Sequence, residues 1–199
     1  IEASLVDATN PVVFVRAKDL GLLGTDSPEA VDRDAALLSR LEAIRLAGAA
    51  LMRIPGSPAI PKVAFVAPPA SYRSLDGREI AVRDVDLVAR VISMGKCHRA
   101  FALTAAMCLA VAARLDGTVV SESVVPSPLT PSPLSSPPVG ERLGEGDLRL
   151  GHPSGVLPIA ALVERDVTGA PMARKVTVYR TARRLMEGFV RTPEAARPA

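Results

Sequence analysis

The sequence predicts an α+β domain whose sheet curls round one buried helix. Three observations predict it. Ser93–Leu115 (SMGKCHRAFALTAAMCLAVAARL) is apolar on every helical face from Ala100 onward, yet Arg99 and Arg114 bracket only 14 residues, too few to cross a bilayer. A helix with no polar stripe and no membrane to sit in belongs at the centre of a fold. Runs of strand composition lie on both sides of it, and one amphipathic helix supplies an outer layer.

Taken in order, Ser4–Asp7 and Val12–Val15 read as strands separated by Ala8-Thr9-Asn10-Pro11. The proline forces Asn10 out of the helical region and fixes the angle of its side chain. The same break also serves as a plain turn. Ser27-Pro28 is a cap followed by proline at the first helical position, which predicts a short helix. Asp34 opens a longer one. Leu37, Leu41, Ile44, Gly48 and Leu51 share its inner face, and Arg40, Glu42 and Arg45 are expected on a solvated face. Pro55-Gly56 ends it.

Lys62–Ala67 is a strand closed by Pro68-Pro69, and Ala70–Arg83 is a turn-rich loop. Val85–Ile92 is a strand that feeds the central helix, Ala100–Leu115. Asp116-Gly117 ends that helix and Thr118–Ser121 begins a further strand. From Ser121 to about residue 146 the composition changes. Ser121–Pro138 alone holds six prolines and six serines, which predicts a flexible, polyproline-biased, disordered surface insertion, with a ligand for a proline-reading module as the alternative. Leu148–Leu150 resumes strand character, Gly151–Gly155 is a tight loop, and Val156–Glu164 is a strand. Asp166–Pro171 turns, and Arg174–Ala182 and Arg184–Val190 are strands that close the sheet.

Composition bounds the function. Hydrophobic residues make up 48% and charged residues 23%, as in ordinary globular proteins, and 199 residues suit one domain with a real core. A net charge of +3, with no basic aromatic patch, gives no reason to expect nucleic acid. No apolar run is long enough for a membrane span or shaped as a signal peptide. Cys97 and Cys108 lie in one segment and cannot staple the fold, so the expected setting is a reducing cytoplasm. No zinc spacing, phosphate loop, dinucleotide fingerprint or nucleophile elbow is present, so neither metal nor cofactor is expected.

Three polar loops remain as candidates: Asp7–Asn10, Met94–Arg99 and Gly151–Gly155. The N-terminus of a buried helix carries unpaired N–H groups and the positive end of the dipole, and it favours an anion. His98 and Arg99 at that entrance suit a carboxylate; alternatively, His98 caps the helix or satisfies a carbonyl. Ser154 and Gly155 offer a hydroxyl and backbone N–H groups, or form a structural turn. Cys97, beside Lys96 and His98 before a helix N-terminus, is a candidate acid/base if those neighbours favour its thiolate. Cys108, mid-helix, is packing.

SLVDATNPVVFVRAKDLG, SMGKCHRAFALTAAMCLAVAA, LGHPSG and VYRTARRLMEGFVRTP, in this order, resemble the C-terminal half of a PrpF-family protein, over nearly the whole chain apart from the Ser/Pro insertion. The resemblance implies the diaminopimelate-epimerase fold: two similar domains, each a mixed, mostly antiparallel sheet wound round a central helix, with the active site between them. Residues 1–199 would then be the second domain, without the first. The family implies a cofactor-independent isomerase or tautomerase of small unsaturated di- or tricarboxylic acids, of the aconitate, methylitaconate or oxalomesaconate type, in pathways such as propionate metabolism. Thr9, Asn10, Met94, Gly95, His98, His152, Ser154 and Gly155 would face the substrate. The family's proposed acid/base pair, a lysine and a cysteine, belongs to the first domain. Where relatives tend to have Thr-Gly-Ala, this helix reads Thr104-Ala105-Ala106, and the added methyl narrows close approach there.

Ile1 begins inside a strand-like run, so the chain is expected to be part of a longer protein, inactive as a half and partnered by the missing N-terminal domain or by a second copy. A lone half would leave an apolar face open, which predicts dimerisation or poor solubility. A second class of function fits as well: a non-catalytic accessory domain that binds a partner metabolic enzyme.

Overall fold

A computed structural model describes residues 1–55, 57–125, 147–179 and 186–189. Strands β1 (Ala3–Asp7) and β2 (Pro11–Arg16) form an antiparallel hairpin round Ala8–Asn10. Helix α1 (Pro28–Arg33) starts at Ser27, whose hydroxyl accepts the Ala30 amide at 3.1 Å. Helix α2 (Ala35–Leu51) starts at Asp34, whose carboxylate accepts the Leu37 amide at 2.9 Å. Both caps fall where the sequence put them. Strand β3 (Lys62–Ala67) follows, then a small hairpin, β4 (Tyr72–Arg73) and β5 (Glu79–Ile80), inside the expected loop. Strand β6 (Leu87–Ser93) turns tightly into β7 (Lys96–Cys97) and leads to helix α3 (Leu103–Ala112). Strands β8 (Leu148–His152), β9 (Gly155–Arg165) and β10 (Pro171–Val178) complete the fold.

The main sheet runs β1-β2-β3-β6-β8-β9-β10, with β7 on β6. Among the described residues only β2/β3 and β6/β8 are parallel, so the sheet is mixed and mostly antiparallel, as expected. Alternation along the strands divides the core. Val12, Phe14, Ala64, Val66, Leu87, Ala89 and Val91 pack on the α3 side; Val13, Val15, Val63, Phe65 and Val88 pack on the side of α1 and α2. Helix α3 touches β1 and β2 at one edge of the sheet and β9 and β10 at the other. Only a curled sheet lets one ten-residue helix reach both edges. Ala105, Ala106, Cys108, Leu109, Ala110, Val111 and Ala112 are all buried, so the central helix is where its composition predicts.

Several boundaries and faces differ. Helix α3 starts three residues later than Ala100, because residues 98–100 are engaged elsewhere: the His98 amide donates to the Val91 carbonyl and the Ala100 amide to the His98 ring. Thr118–Ser121 is not a strand; the segment turns into a short 3-10 helix over Ser121–Ser123. Arg45 is buried, not solvated. Its guanidinium is clamped by Glu42 at 2.7 Å and donates to the carbonyls of Ser57, Ile60 and Pro61. Leu51, expected on the inner face, is 75% exposed. Within Gly151–Gly155 only Pro153 and Ser154 form the turn, the rest being strand. Residues 186–189 carry no strand, and the rest of the Arg184–Val190 expectation lies outside the described residues, as do the end of Arg174–Ala182 and the Ser/Pro segment from 126 to 146. Among the described residues no helix is long and apolar enough to cross a membrane.

Candidate functional site

The ladders place two of the polar loops at one end of the sheet. Val12 pairs with Lys62 and Val63 with Ile92, so the start of β2, the start of β3 and the end of β6 lie side by side. Asn10 precedes the first of these and Met94-Gly95 follows the last. Helix α3 begins at the same end. The Thr9 hydroxyl donates to the Thr104 carbonyl at 2.7 Å, and the Asn10 carboxamide reaches the Thr104 hydroxyl at 3.4 Å. Ala102 at the N-cap supplies no side-chain acceptor, so the first-turn N–H groups lack a side-chain cap. Asn10 Oδ1 is buried with no hydrogen-bond partner among the described residues. An unpaired acceptor beside uncapped N–H groups is an unfinished polar site.

The β8–β9 turn approaches from another side. The Ser154 hydroxyl donates to the Arg99 carbonyl at 2.6 Å, holding this turn against the loop before α3. The Ser154 amide donates to His152 Nδ1 at 3.2 Å. Burial, then the positive charge of Arg90, pushes the His152 pKa down to about 4, so this ring is neutral at pH 7. Beneath the turn, the Tyr72 hydroxyl is shared between the His152 and Gly155 carbonyls at 2.9 and 2.6 Å. The guanidinium of Arg90, 1% exposed, lies 5.4 Å over the Tyr72 ring and donates to the Asp26 and Ala89 carbonyls. A buried cation on an aromatic face stiffens what stands on it.

His98 takes the local role that the sequence left open: its ring accepts the Ala100 amide at 3.1 Å. The Arg99 guanidinium, expected to meet a carboxylate ligand, is ion-paired with Glu29 of α1. Met94 and Gly95 form the two-residue β6–β7 turn with φ of 54° and 74°. Positive φ at both centres matches the twist of a hairpin, but methionine is strained there, and this one is 72% exposed.

Cys97 departs from expectation. It faces the core from β7, and burial pushes its thiol up to about 12, opposite to the lowering expected from its neighbours. Cys108 packs mid-helix against the Val6 carbonyl, as expected. Lys62, Tyr72 and Arg90 were not expected at the site, and Thr104 was singled out only for its place in the Thr104-Ala105-Ala106 run. Two-residue alternation puts Lys62 on the face of Ala64 and Val66, but both faces of this strand are apolar, so only the structure shows that this face meets α3.

A cavity of about 340 Å³ lies at the opposite end of the sheet, lined in part by Arg16, Lys18, Leu22 and Glu122. Its arginine is already ion-paired with Glu2 and Glu122.

A family model described as PrpF protein matches residues 1–193. The 2-methyl-aconitate isomerase of Shewanella oneidensis is 37% identical, over 96% of this chain and 46% of that protein. The 3-methylitaconate isomerase of Eubacterium barkeri is 36% identical, over 98% and 48%. A crystal structure of methylitaconate-delta-isomerase aligns with a TM-score of 0.71 at 31% identity, over 90% of this chain and 45% of that one. The chain spans about half the length of the curated relatives it matches.

Proposed function

Because the chain belongs to the PrpF family, we propose that it forms the second half of a cofactor-independent isomerase of small unsaturated di- or tricarboxylic acids. The observation that carries this reading is the family match across residues 1–193, together with the uncapped start of α3 between the Asn10 and Ser154 loops. Relatives named for 2-methyl-aconitate and 3-methylitaconate supply the substrate class.

Moving a double bond in such an acid requires a proton to leave one allylic carbon and another to arrive at the far one. Between the two steps the carbanion's charge spreads onto a carboxylate. N–H groups at the start of α3, and the hydroxyl of Thr104, would stabilise that charge without moving. Thr9 and Asn10 would set the position of the first turn, and His98, His152, Ser154 and Gly155 would close the other flank. Neutral His152 orients the turn through Nδ1, which accepts the Ser154 amide. Met94 and Gly95 would form the rim. The groups that carry the protons are assigned to the other half, since Cys97 is buried and held protonated. That half is a first domain, or a second copy in its place. Two free, buried thiols suit a reducing cytoplasm.

The test mixes the purified chain with trans-aconitate, methylitaconate and oxalomesaconate in D2O, with and without a matching first domain. Proton NMR should show a double-bond shift with deuterium incorporation in the mixture that holds both halves. A properly assembled pair that leaves all three acids unchanged overturns the reading.

A further inference from the structure

Lys62 opens β3, the strand between β2 and β6. It therefore stands between two candidate loops, Thr9-Asn10 ahead of its ladder partner Val12 and Met94-Gly95 directly after Ser93. Its parity is that of Ala64 and Val66, which pack on the α3 side, so its side chain leaves the sheet on that face, at the end where α3 begins. There the half-buried ammonium donates to the Ala59 carbonyl at 2.9 Å and the Ser93 hydroxyl at 3.1 Å. Both acceptors are neutral. Among the described residues no carboxylate pairs with it, and an ammonium has three hydrogens to give. Burial holds its pKa below the ordinary lysine value, as for a cation that has lost water without gaining an anion.

From this placement we infer that Lys62 anchors one carboxylate of the substrate, while another carboxylate of the same acid docks at the start of α3. The assignment rests on the reading of the site given above and makes it more specific. It explains a preference for acids with two or three carboxylates: one charge meets the helix end and a second meets the ammonium. A strut between Ala59 and Ser93 would need hydrogen bonds only, whereas an anchor needs the positive charge.

Two substitutions separate these roles. Lys62→Gln keeps donors and loses charge; Lys62→Arg keeps charge. Binding of tricarballylate, a saturated tricarboxylate, is measured by NMR titration of the 199-residue chain and of the chain paired with a matching first domain, and KM and kcat are measured in the pair. An anchoring role predicts that Lys62→Gln weakens binding and raises KM about ten-fold, with kcat changed less, and that Lys62→Arg restores both to within about three-fold. Ser93→Ala, which removes the strut's acceptor and leaves the ammonium, should stay within about two-fold. If the unsubstituted protein binds and Lys62→Gln binds equally well, the anchor is wrong and the isomerase reading stands. If Ser93→Ala loses as much affinity as Lys62→Gln, Lys62 is only a strut. If the unsubstituted protein neither binds nor isomerises any of the acids in either form, both fall together.

Discussion

The hydroxyl of Ser154 donates a 2.6 Å hydrogen bond to the backbone carbonyl of Arg99, a residue 55 positions earlier. This bond joins the β8–β9 turn to the loop that delivers the chain into α3. Ser154→Ala should cost about 1 kcal/mol, or roughly 3 °C in thermal midpoint, and leave the fold intact. Differential scanning calorimetry checks the stability, and amide exchange at residues 98–102 should quicken selectively.

Asn10→Asp separates stability from binding. A carboxylate beside the positive end of α3 should stabilise the chain by about 0.5 kcal/mol. The same charge repels an incoming carboxylate, so affinity for tricarballylate should fall about ten-fold. Denaturant unfolding and ligand titration of one variant should move in opposite directions. If both fall, Asn10 is a fold residue with no bearing on the ligand.

Tyr72→Phe removes the hydroxyl whose single hydrogen is shared between the His152 and Gly155 carbonyls, and with it a buried hydrogen bond under the turn. The expected loss is about 2 kcal/mol, read as a thermal midpoint lower by roughly 6 °C. Leu109→Ala, in the middle of the buried helix, should cost more, about 2–5 kcal/mol, because a cavity opens where the sheet cannot collapse onto it.

His152 predicts an acid limb in stability. The folded ring takes up a proton only near pH 4, whereas the unfolded chain takes one up near 6.5. The stability due to keeping it neutral is complete above pH 6.5 and drains away as the pH falls towards 4. It amounts to about 3 kcal/mol. Unfolding of the parent chain and of His152→Asn, measured from pH 7 to pH 4, should therefore converge as the pH drops. Parallel curves would mean that the ring is solvated.

The buried helix and most strands were legible because hydrophobic period reports burial wherever neighbours are uniformly apolar, as at Lys62–Ala67 and Leu103–Ala112. The caps at Ser27 and Asp34 were legible because they are local chemistry. Arg45 was not: its burial depends on the Ser57–Pro61 carbonyls that pack over it, a tertiary contact with no local trace. Cys97 was misjudged for a geometric reason. Lys96, Cys97 and His98 are adjacent in sequence, but on a strand consecutive side chains point to opposite faces, so the exposed lysine does not serve the buried thiol. Lys62 has no local signal, because the strand that follows it is apolar on both faces. Its place between Asn10 and Met94 exists only once β3 is set between β2 and β6.

Carboxylic acids are expected to dock where α3 begins. Amide chemical shifts of the isotopically labelled chain, titrated with tricarballylate, test it most directly. Docking there gives saturable shifts gathered at Thr9-Asn10, Met94-Gly95, residues 98–105 and His152–Gly155. Shifts centred instead on Arg16, Lys18 and Glu122 at the far cavity, or a spectrum unmoved at millimolar acid, would contradict it.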